Sequence, residues 1–224
     1  NIIVYIVSNL VFSNQLYFYL SAYYPFSPFF KSWQVITHMF MHAPMMGQGI
    51  GLTHILFNMF TLYSFGPILE QSLGAKKYLI LYFLSGIGAY FLFNLWNFIE
   101  YQQVVQGLDS IGFNVNNYLA NPDAFSFARN DPKTASLIGG LDSIMYGKMY
   151  GASGAIFGVV AAFATLYPDS KIGIMFIPIP VKVKYLLPVI VIGSIWLGIS
   201  GNAGGVAHLA HVGGALVGWI LARI

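Results

Sequence analysis

The chain has no cysteine, and only 8% of its 224 residues are charged. Without cysteine there is neither a disulfide framework nor a thiol nucleophile, so cysteine protease chemistry is excluded. The interiors of its long apolar segments contain no aspartate or glutamate. This excludes an aspartyl dyad inside those segments and a third, carboxylate member of a catalytic triad. The motif His-Glu-x-x-His is also missing, which excludes the usual zinc protease.

The composition is strongly apolar, with 57% hydrophobic and 17% aromatic residues and a mean hydropathy of +0.69. An ordinary soluble domain has roughly 25% charged residues. The sequence therefore predicts a polytopic, integral membrane protein whose surroundings are the lipid bilayer. The net charge of +3 is dispersed without a basic stripe, so no nucleic acid partner is expected.

Six segments are candidate membrane spans, because a helix needs about 20 mostly apolar residues to cross the hydrocarbon core. Extramembrane loops at about 23–52 and 98–150 separate some of them, and no repeat is visible, so we expect one domain over 1–224. The chain begins within an apolar run, and we expect that it lacks a native amino terminus. The predicted spans are about 1–22, 53–70, 77–97, 151–167, 185–200 and 205–222.

The basic residues predict the orientation. Cytoplasmic loops carry an excess of lysine and arginine, and six of the ten basic residues fall on one side of the predicted bundle. Both termini are therefore expected in the cytoplasm, and the two long loops outside. The six are Lys76, Lys77, Lys171, Lys182, Lys184 and Arg223.

A serine stands among small residues at the start of the fourth span, in Gly151-Ala152-Ser153-Gly154. Serines in such seams usually serve close helix packing, and a short motif alone is weak evidence of catalysis. The chemical alternative is a nucleophile, which requires a neighbouring base.

The sixth span supplies a candidate base, His211, three residues before Gly214. Each of the two spans has glycines at one-turn spacing, Gly154 with Gly158 and Gly214 with Gly218. If these glycine faces meet, the backbones approach closely enough for the serine and the histidine to come within about 3 Å.

The second span adds His54 and Asn58, whose i, i+4 spacing places them on one helix face. Hydrogen bonds between helices are the simpler role for such residues, worth roughly 1 kcal/mol. Beside a serine nucleophile they have a second role, as N–H donors to a developing oxyanion.

Together these motifs resemble the rhomboid family of intramembrane serine proteases, in its bacterial six-helix form. The family pattern has Gly-x-Ser-Gly on the fourth helix, Ala-His-x-x-Gly on the sixth and His-x-x-x-Asn on the second. The resemblance implies an all-α membrane protein, a bundle of six transmembrane helices in a bacterial inner membrane. It also implies an endopeptidase that needs no cofactor and cleaves membrane protein substrates in or near their transmembrane segments.

Carried over to this chain, the resemblance implies that Ser153 is the nucleophile and His211 the general base. It assigns His54, Asn58 and the Ser153 backbone N–H to the oxyanion hole. It further implies that Phe157, where many relatives have tyrosine, packs on the His211 ring. The small residues that complete the packing of the dyad are Gly151, Gly154 and Gly214.

The sequence departs from the family pattern in its outer loops. Trp33 is followed by Gln34, where arginine is common in the family, and the segments from His42 to His54 and from 98 to 150 are longer than in compact relatives. These changes leave the dyad intact and bear on substrate access.

Three other interpretations remain open. A non-catalytic rhomboid-like protein that binds membrane clients has the same fold, although the presence of both Ser153 and His211 argues against it. His38 and His42 at i, i+4 spacing, and His208 near His211, suggest a metal site. Such sites usually recruit carboxylates or more closely grouped ligands, so we predict no metal. A transporter would show a polar pathway and internal repeats, and neither is visible.

Overall fold

The structure, a computed structural model, is mostly helical and divides into two compact units. The first unit comprises 1–22, 31–93 and 149–224, and the second comprises 23–30 and 94–148. The structure describes residues 1–11, 15–45, 50–174, 177–199 and 205–224.

The described elements are helices, two short 3-10 segments and two strands. The helices are α1 (Ile2–Leu10), α2 (Gln15–Leu20), α3 (Gln34–Thr37), α4 (Ile50–Leu73), α5 (Ala75–Asp109), α6 (Val115–Ala120), α7 (Pro132–Tyr146), α8 (Ser153–Leu166), α9 (Val183–Ile199) and α10 (Gly205–Leu221). The 3-10 segments are His38–Phe40 and Pro122–Asn130, and the strands are β1 (Lys171–Ile174) and β2 (Ile177–Lys182).

Two of the described helices, α4 and α5, are long and apolar enough to cross a membrane by length and composition. The apolar segments of α8, α9 and α10 are shorter. The predicted first span is divided between α1 and α2, and its residues 12–14 lie outside the described part of the chain. The count of six transmembrane helices stays a prediction.

The third predicted span continues well beyond its expected end. Helix α5 runs to Asp109, so the predicted boundary at residue 98 is not the end of a helix. The residues after Asn97 include Glu100 and several glutamines, which are good helix formers, and no proline interrupts them. The rest of the predicted loop 98–150 is also largely helical, as α6, a 3-10 segment and α7.

A two-stranded antiparallel hairpin is an exception to the predicted all-α fold. Strands β1 and β2 pair Lys171 with Lys182 and Ile172 with Val181, between α8 and α9 in the chain. Isoleucine and valine favour strand structure here, because β-branched side chains fit a pleated surface. The segment is too short for sequence periodicity to identify it.

Each unit has its own hydrophobic core. In the first unit α8 is the main contributor, and its residues Val159 and Ala162 share the core with Leu69 from α4 and Leu81 from α5. The second unit has a separate core, whose fully buried members include Leu108, Tyr118, Ile138 and Leu141.

The contact between α8 and α10 is the most extensive helix pairing in the described chain. A Cβ atom added to Gly214 would overlap the backbone oxygen of Gly154, and one added to Gly218 would overlap that of Gly158. The two backbones therefore touch without side chains between them, which only glycine permits.

Asp169, an acidic residue before the hairpin, pairs with two lysines, one at the end of β2 and one at the start of α9. Asp169 accepts hydrogen bonds from Lys184 at 2.8 Å and from Lys182 at 2.9 Å. These bonds lower the pKa of its carboxyl from 3.8 to about 2. The pairs connect the loop before β1 with the end of β2 and the start of α9.

The helix contact predicts that Gly218→Ala destabilises the protein. The added methyl group has no space against Gly158, so the free energy of unfolding should fall by about 1–3 kcal/mol, as for other overpacked sites. Titration with a denaturing detergent measures the effect. Gly193→Ala in α9 is the matched control, because an added Cβ there meets nothing within 4 Å. Equal stability of the two variants would show that the helices do not touch at Gly218.

The ion pairs predict a pH dependence of stability at low pH. Since folding lowers the pKa of Asp169, the stabilisation is present above pH 3.8 and is lost as the pH falls to about 2. Asp169→Asn should remove this part of the pH dependence of thermal unfolding, measured as the melting temperature between pH 2 and pH 6. An unchanged profile in the variant would mean that the pairs add nothing to stability.

Candidate active site

Ser153 is the first residue of α8, and the turn before it depends on Gly151. Gly151 has a φ of +129°, a backbone conformation that residues with a side chain rarely adopt. Its N–H donates to the carbonyl oxygen of His38 at 3.0 Å, which ties the turn to a 3-10 segment. Because Ser153 opens the helix, its backbone N–H is among those that have no acceptor within the helix.

Ser153 and His211 are in direct contact. The Oγ atom of Ser153 lies 2.8 Å from Nε2 of His211, although 58 positions separate them in sequence. For the hydroxyl to donate in this hydrogen bond, Nε2 must be unprotonated, which is the state of a general base. The close backbone contact between α8 and α10 brings the two side chains within reach.

Phe157 stacks on the imidazole of His211. The ring centroids are 4.3 Å apart and the planes differ by only 3°. Phe157 lies one turn after Ser153 on α8, so the helix that carries the hydroxyl also restrains the plane of the imidazole.

His54 has a defined tautomer in this arrangement. The backbone N–H of Ala43 donates to its Nδ1 atom at 3.1 Å. Nδ1 therefore carries no proton, and the N–H of the neutral ring belongs to Nε2. A Cβ atom built on Gly151 would lie 3.3 Å from this Nε2 and 3.5 Å from the Ser153 Oγ, so both groups adjoin the same turn.

Asn58 is buried one turn after His54 on α4. Its side-chain amide donates to the carbonyl oxygen of His54 at 2.7 Å, which uses one of its two N–H groups. Its side-chain oxygen is buried and has no hydrogen-bond partner in the part of the chain that is described.

A cavity of about 320 Å³ adjoins the serine. Ser153 and Asn58 lie in its wall, and the rest of the lining is almost wholly apolar. Helix α4 supplies Phe65 and α9 supplies Leu187 and Ile190, so the cavity lies between these two helices and the start of α8. It has the size and character of a site for apolar groups.

The remaining histidines have different surroundings. Nδ1 of His38 lies 2.8 Å from the carbonyl oxygen of Gln34, while the ring of His42 is next to that of His54. His208 meets the ring of His211 edge to face, with centroids 5.9 Å apart. Over the described ranges of the chain, no group of three or more metal-ligating side chains occurs.

Sequence reasoning missed two neighbours of the site. The ring of His42 lies 5.4 Å from that of His54, and the ring of Tyr150 lies 6.4 Å from it. Tyr150 directly precedes Gly151, so its position next to the serine motif could have indicated that it lies near the site. No pattern in the sequence connects His42 with His54.

The fold and the site thus combine a helical protein with a serine that is hydrogen-bonded to a histidine beside an apolar cavity. The chain belongs to the Rhomboid family, whose domain matches residues 30–116 and 125–224. This family consists of integral membrane proteins and includes intramembrane serine proteases.

Several curated proteins are similar to this chain. Rhomboid protein 1, mitochondrial, from Saccharomyces cerevisiae is 29% identical over 176 residues, which are 74% of this chain and 36% of the yeast protein. Rhomboid protease AarA from Providencia stuartii is 28% identical over 173 residues, 75% of this chain and 50% of AarA. Rhomboid protease GlpG from Salmonella typhi is 31% identical over 88 residues, 38% of this chain and 29% of GlpG.

These similarities cover only part of each relative. The matched part of this chain spans half or less of the length of the three proteins. No solved structure matches the chain significantly.

The stacked ring predicts a measurable effect on His211. In Phe157→Ala the imidazole loses its aromatic partner, and diethylpyrocarbonate should modify it about 2- to 10-fold faster, since an aromatic pair contributes about 0.5–1.5 kcal/mol. Peptide mapping by mass spectrometry measures the rate at His211. Phe91→Ala, at an exposed position on α5, is the control and should leave the rate unchanged. Equal rates in both variants would contradict a restraining role of the stack.

Proposed function

We propose that this protein is an intramembrane serine endopeptidase that cleaves membrane proteins in or near their transmembrane segments. The observation that carries the proposal is the 2.8 Å contact between Ser153 Oγ and His211 Nε2. Family membership and the names of the similar proteases support the same conclusion.

In the first step, Ser153 Oγ attacks the carbonyl carbon of the scissile peptide bond. The hydroxyl proton passes to Nε2 of His211, and the carbonyl oxygen becomes an oxyanion. When the tetrahedral intermediate collapses, the C–N bond breaks and His211 gives the proton to the leaving amine. The product of this step is an ester between Ser153 and the new carboxyl end of the substrate.

Three N–H donors form the proposed oxyanion hole. They are Nε2–H of His54, the second N–H of the Asn58 amide and the backbone N–H of Ser153. The hydrogen bond from Ala43 supports the donor tautomer of His54, and the position of Ser153 at the start of α8 supports the third donor. Removal of one such donor in a serine protease costs about 3 kcal/mol of transition-state stabilisation.

In the second step, water hydrolyses the ester. His211 removes a proton from the water as it attacks, then donates a proton to Ser153 Oγ as the bond to the substrate breaks. Ser153 is half-buried rather than sealed, which supports access of water. The mechanism uses only side chains and backbone groups, and we propose no cofactor or metal.

The apolar cavity favours a substrate that approaches from the lipid. Its walls come from α4, α8 and α9, and α4 exposes large side chains such as Phe57 and Phe60. In the proposed arrangement a single rhomboid domain of six helices spans a bacterial inner membrane, with both termini in the cytoplasm. A substrate helix enters sideways and unwinds at the serine, because helical hydrogen bonds otherwise protect the peptide bond.

Ser153→Ala should abolish cleavage of a model transmembrane substrate in proteoliposomes. Removing the nucleophile of a serine protease lowers kcat by about 10⁶-fold, and removing the histidine has a similar effect, so His211→Ala should also be inactive. Mass spectrometry measures the product. Ser64→Ala is the matched control, because Ser64 lies on α4 outside the cavity lining and donates to the carbonyl oxygen of Phe60 in its own helix.

The same experiment distinguishes a protease from a non-catalytic protein that binds membrane clients. A protein that only binds membrane clients would leave the substrate intact in the wild type while still retaining it on purification. Cleavage by Ser153→Ala at the wild-type rate would reject the assignment of the nucleophile.

A further inference from the structure

The ring of His54 is held by a short segment of the first outer loop, residues 42–45, which we name the bracket. Within it, the Ala43 N–H donates to Nδ1 of His54 at 3.1 Å. This bond restrains the ring and selects its tautomer, because a backbone N–H pairs only with an unprotonated nitrogen. Displacement of the bracket would therefore change the direction of the Nε2–H bond or the protonation of Nε2, the atom that adjoins the turn before Ser153.

Side chains from the first two helices fasten the bracket. The Tyr17 hydroxyl on α2 donates to the carbonyl oxygen of His42 at 2.7 Å. The Met45 N–H donates to the side-chain oxygen of Asn9 on α1 at 2.8 Å, and the Asn9 amide donates to the Tyr17 hydroxyl at 3.3 Å. The bracket is thus restrained on both sides of Ala43.

The His42 side chain fills the space behind His54. It is fully buried, and its ring lies 5.4 Å from that of His54. Tyr5 of α1 meets the His42 ring edge to face, with centroids 6.3 Å apart. The bracket therefore supports His54 by packing as well as by the bond from Ala43.

We propose that Tyr17 and Asn9 are positioning residues that act through the bracket to hold His54 as an oxyanion donor. The inference rests on the proposed function, because it assigns both residues to the same reaction. Neither residue is placed in contact with the substrate. The Tyr17 ring also meets the Tyr150 ring edge to face, with centroids 6.2 Å apart, and Tyr17→Phe keeps that contact. The Tyr17 hydroxyl and the Asn9 amide act on the serine through the carbonyl of His42, the N–H groups of the bracket and the ring of His54.

Tyr17→Phe tests the proposal by removing one hydroxyl while keeping the ring. We expect kcat for a model transmembrane substrate to fall about 10-fold with KM unchanged, because a displacement of 1 Å in an active site can cost about 10²-fold. Asn9→Ala releases the other side of the bracket and should act in the same direction. Tyr19→Phe is the matched control, since Tyr19 is on the same helix and exposed. Thermal unfolding of each variant identifies any loss of the fold.

A double-mutant cycle separates positioning from general stability. The measured quantity is the rate at which a fluorophosphonate labels Ser153, because a single covalent event per molecule remains measurable in slow variants. Tyr17→Phe should slow labelling when His54 is present but change the rate by less than about 2-fold in a His54→Ala background. The reason is that the Tyr17 hydroxyl is proposed to act through the His54 ring, which the second substitution removes.

Equal slowing of labelling by Tyr17→Phe in both backgrounds would overturn the proposal. Wild-type kcat in both Tyr17→Phe and Asn9→Ala would also overturn it. If the wild type itself is neither labelled nor active, the proposed function fails instead, so the two failures are distinguishable.

Discussion

The close approach of two helix backbones is the constraint on which the site depends. Gly214 of α10 lies against the backbone of Gly154 in α8, with no room for a side chain between them. Helices packed through ordinary side chains are about 8–10 Å apart, whereas small residues allow a shorter separation. At this close separation Ser153 and His211 are in hydrogen-bond contact, and Phe157 covers the imidazole.

Around this contact a few polar groups adjoin a largely apolar cavity. His54 and Asn58 are joined on α4 by the bond from the Asn58 amide to the His54 carbonyl. Asn58 also lies in the wall of the cavity between α4, α8 and α9, whose remaining lining is almost wholly apolar. A serine beside a few polar groups and a largely apolar cavity suits a peptide that is itself mostly hydrophobic. The proposed protease function uses both the polar groups and the apolar cavity.

Ser153, His211, His54 and Asn58 could be predicted as candidate site residues from the sequence because their patterns are local. The one-turn spacing of glycines in α8 and α10 and the i, i+4 spacing of His54 and Asn58 follow directly from helix geometry. The hydrogen bond from Tyr17 to His42 spans 25 positions with no periodicity, so the sequence does not indicate it. The sequence did not predict the β-hairpin or the extension of α5 to Asp109. Transmembrane segments are inferred from the length of an apolar run, and such a run does not indicate polar helices or short strands.

The pairing of Ser153 with His211 is tested most directly by identifying the atom that a serine-directed inhibitor modifies in the lipid-embedded protein. Wild-type protein reconstituted in liposomes would be treated with a fluorophosphonate, digested and mapped by tandem mass spectrometry. We expect a single adduct on Ser153, and no adduct when the histidine at 211 is replaced by alanine. An adduct on another residue, or one on Ser153 that forms equally well without that imidazole, would contradict the pairing of this serine with this base.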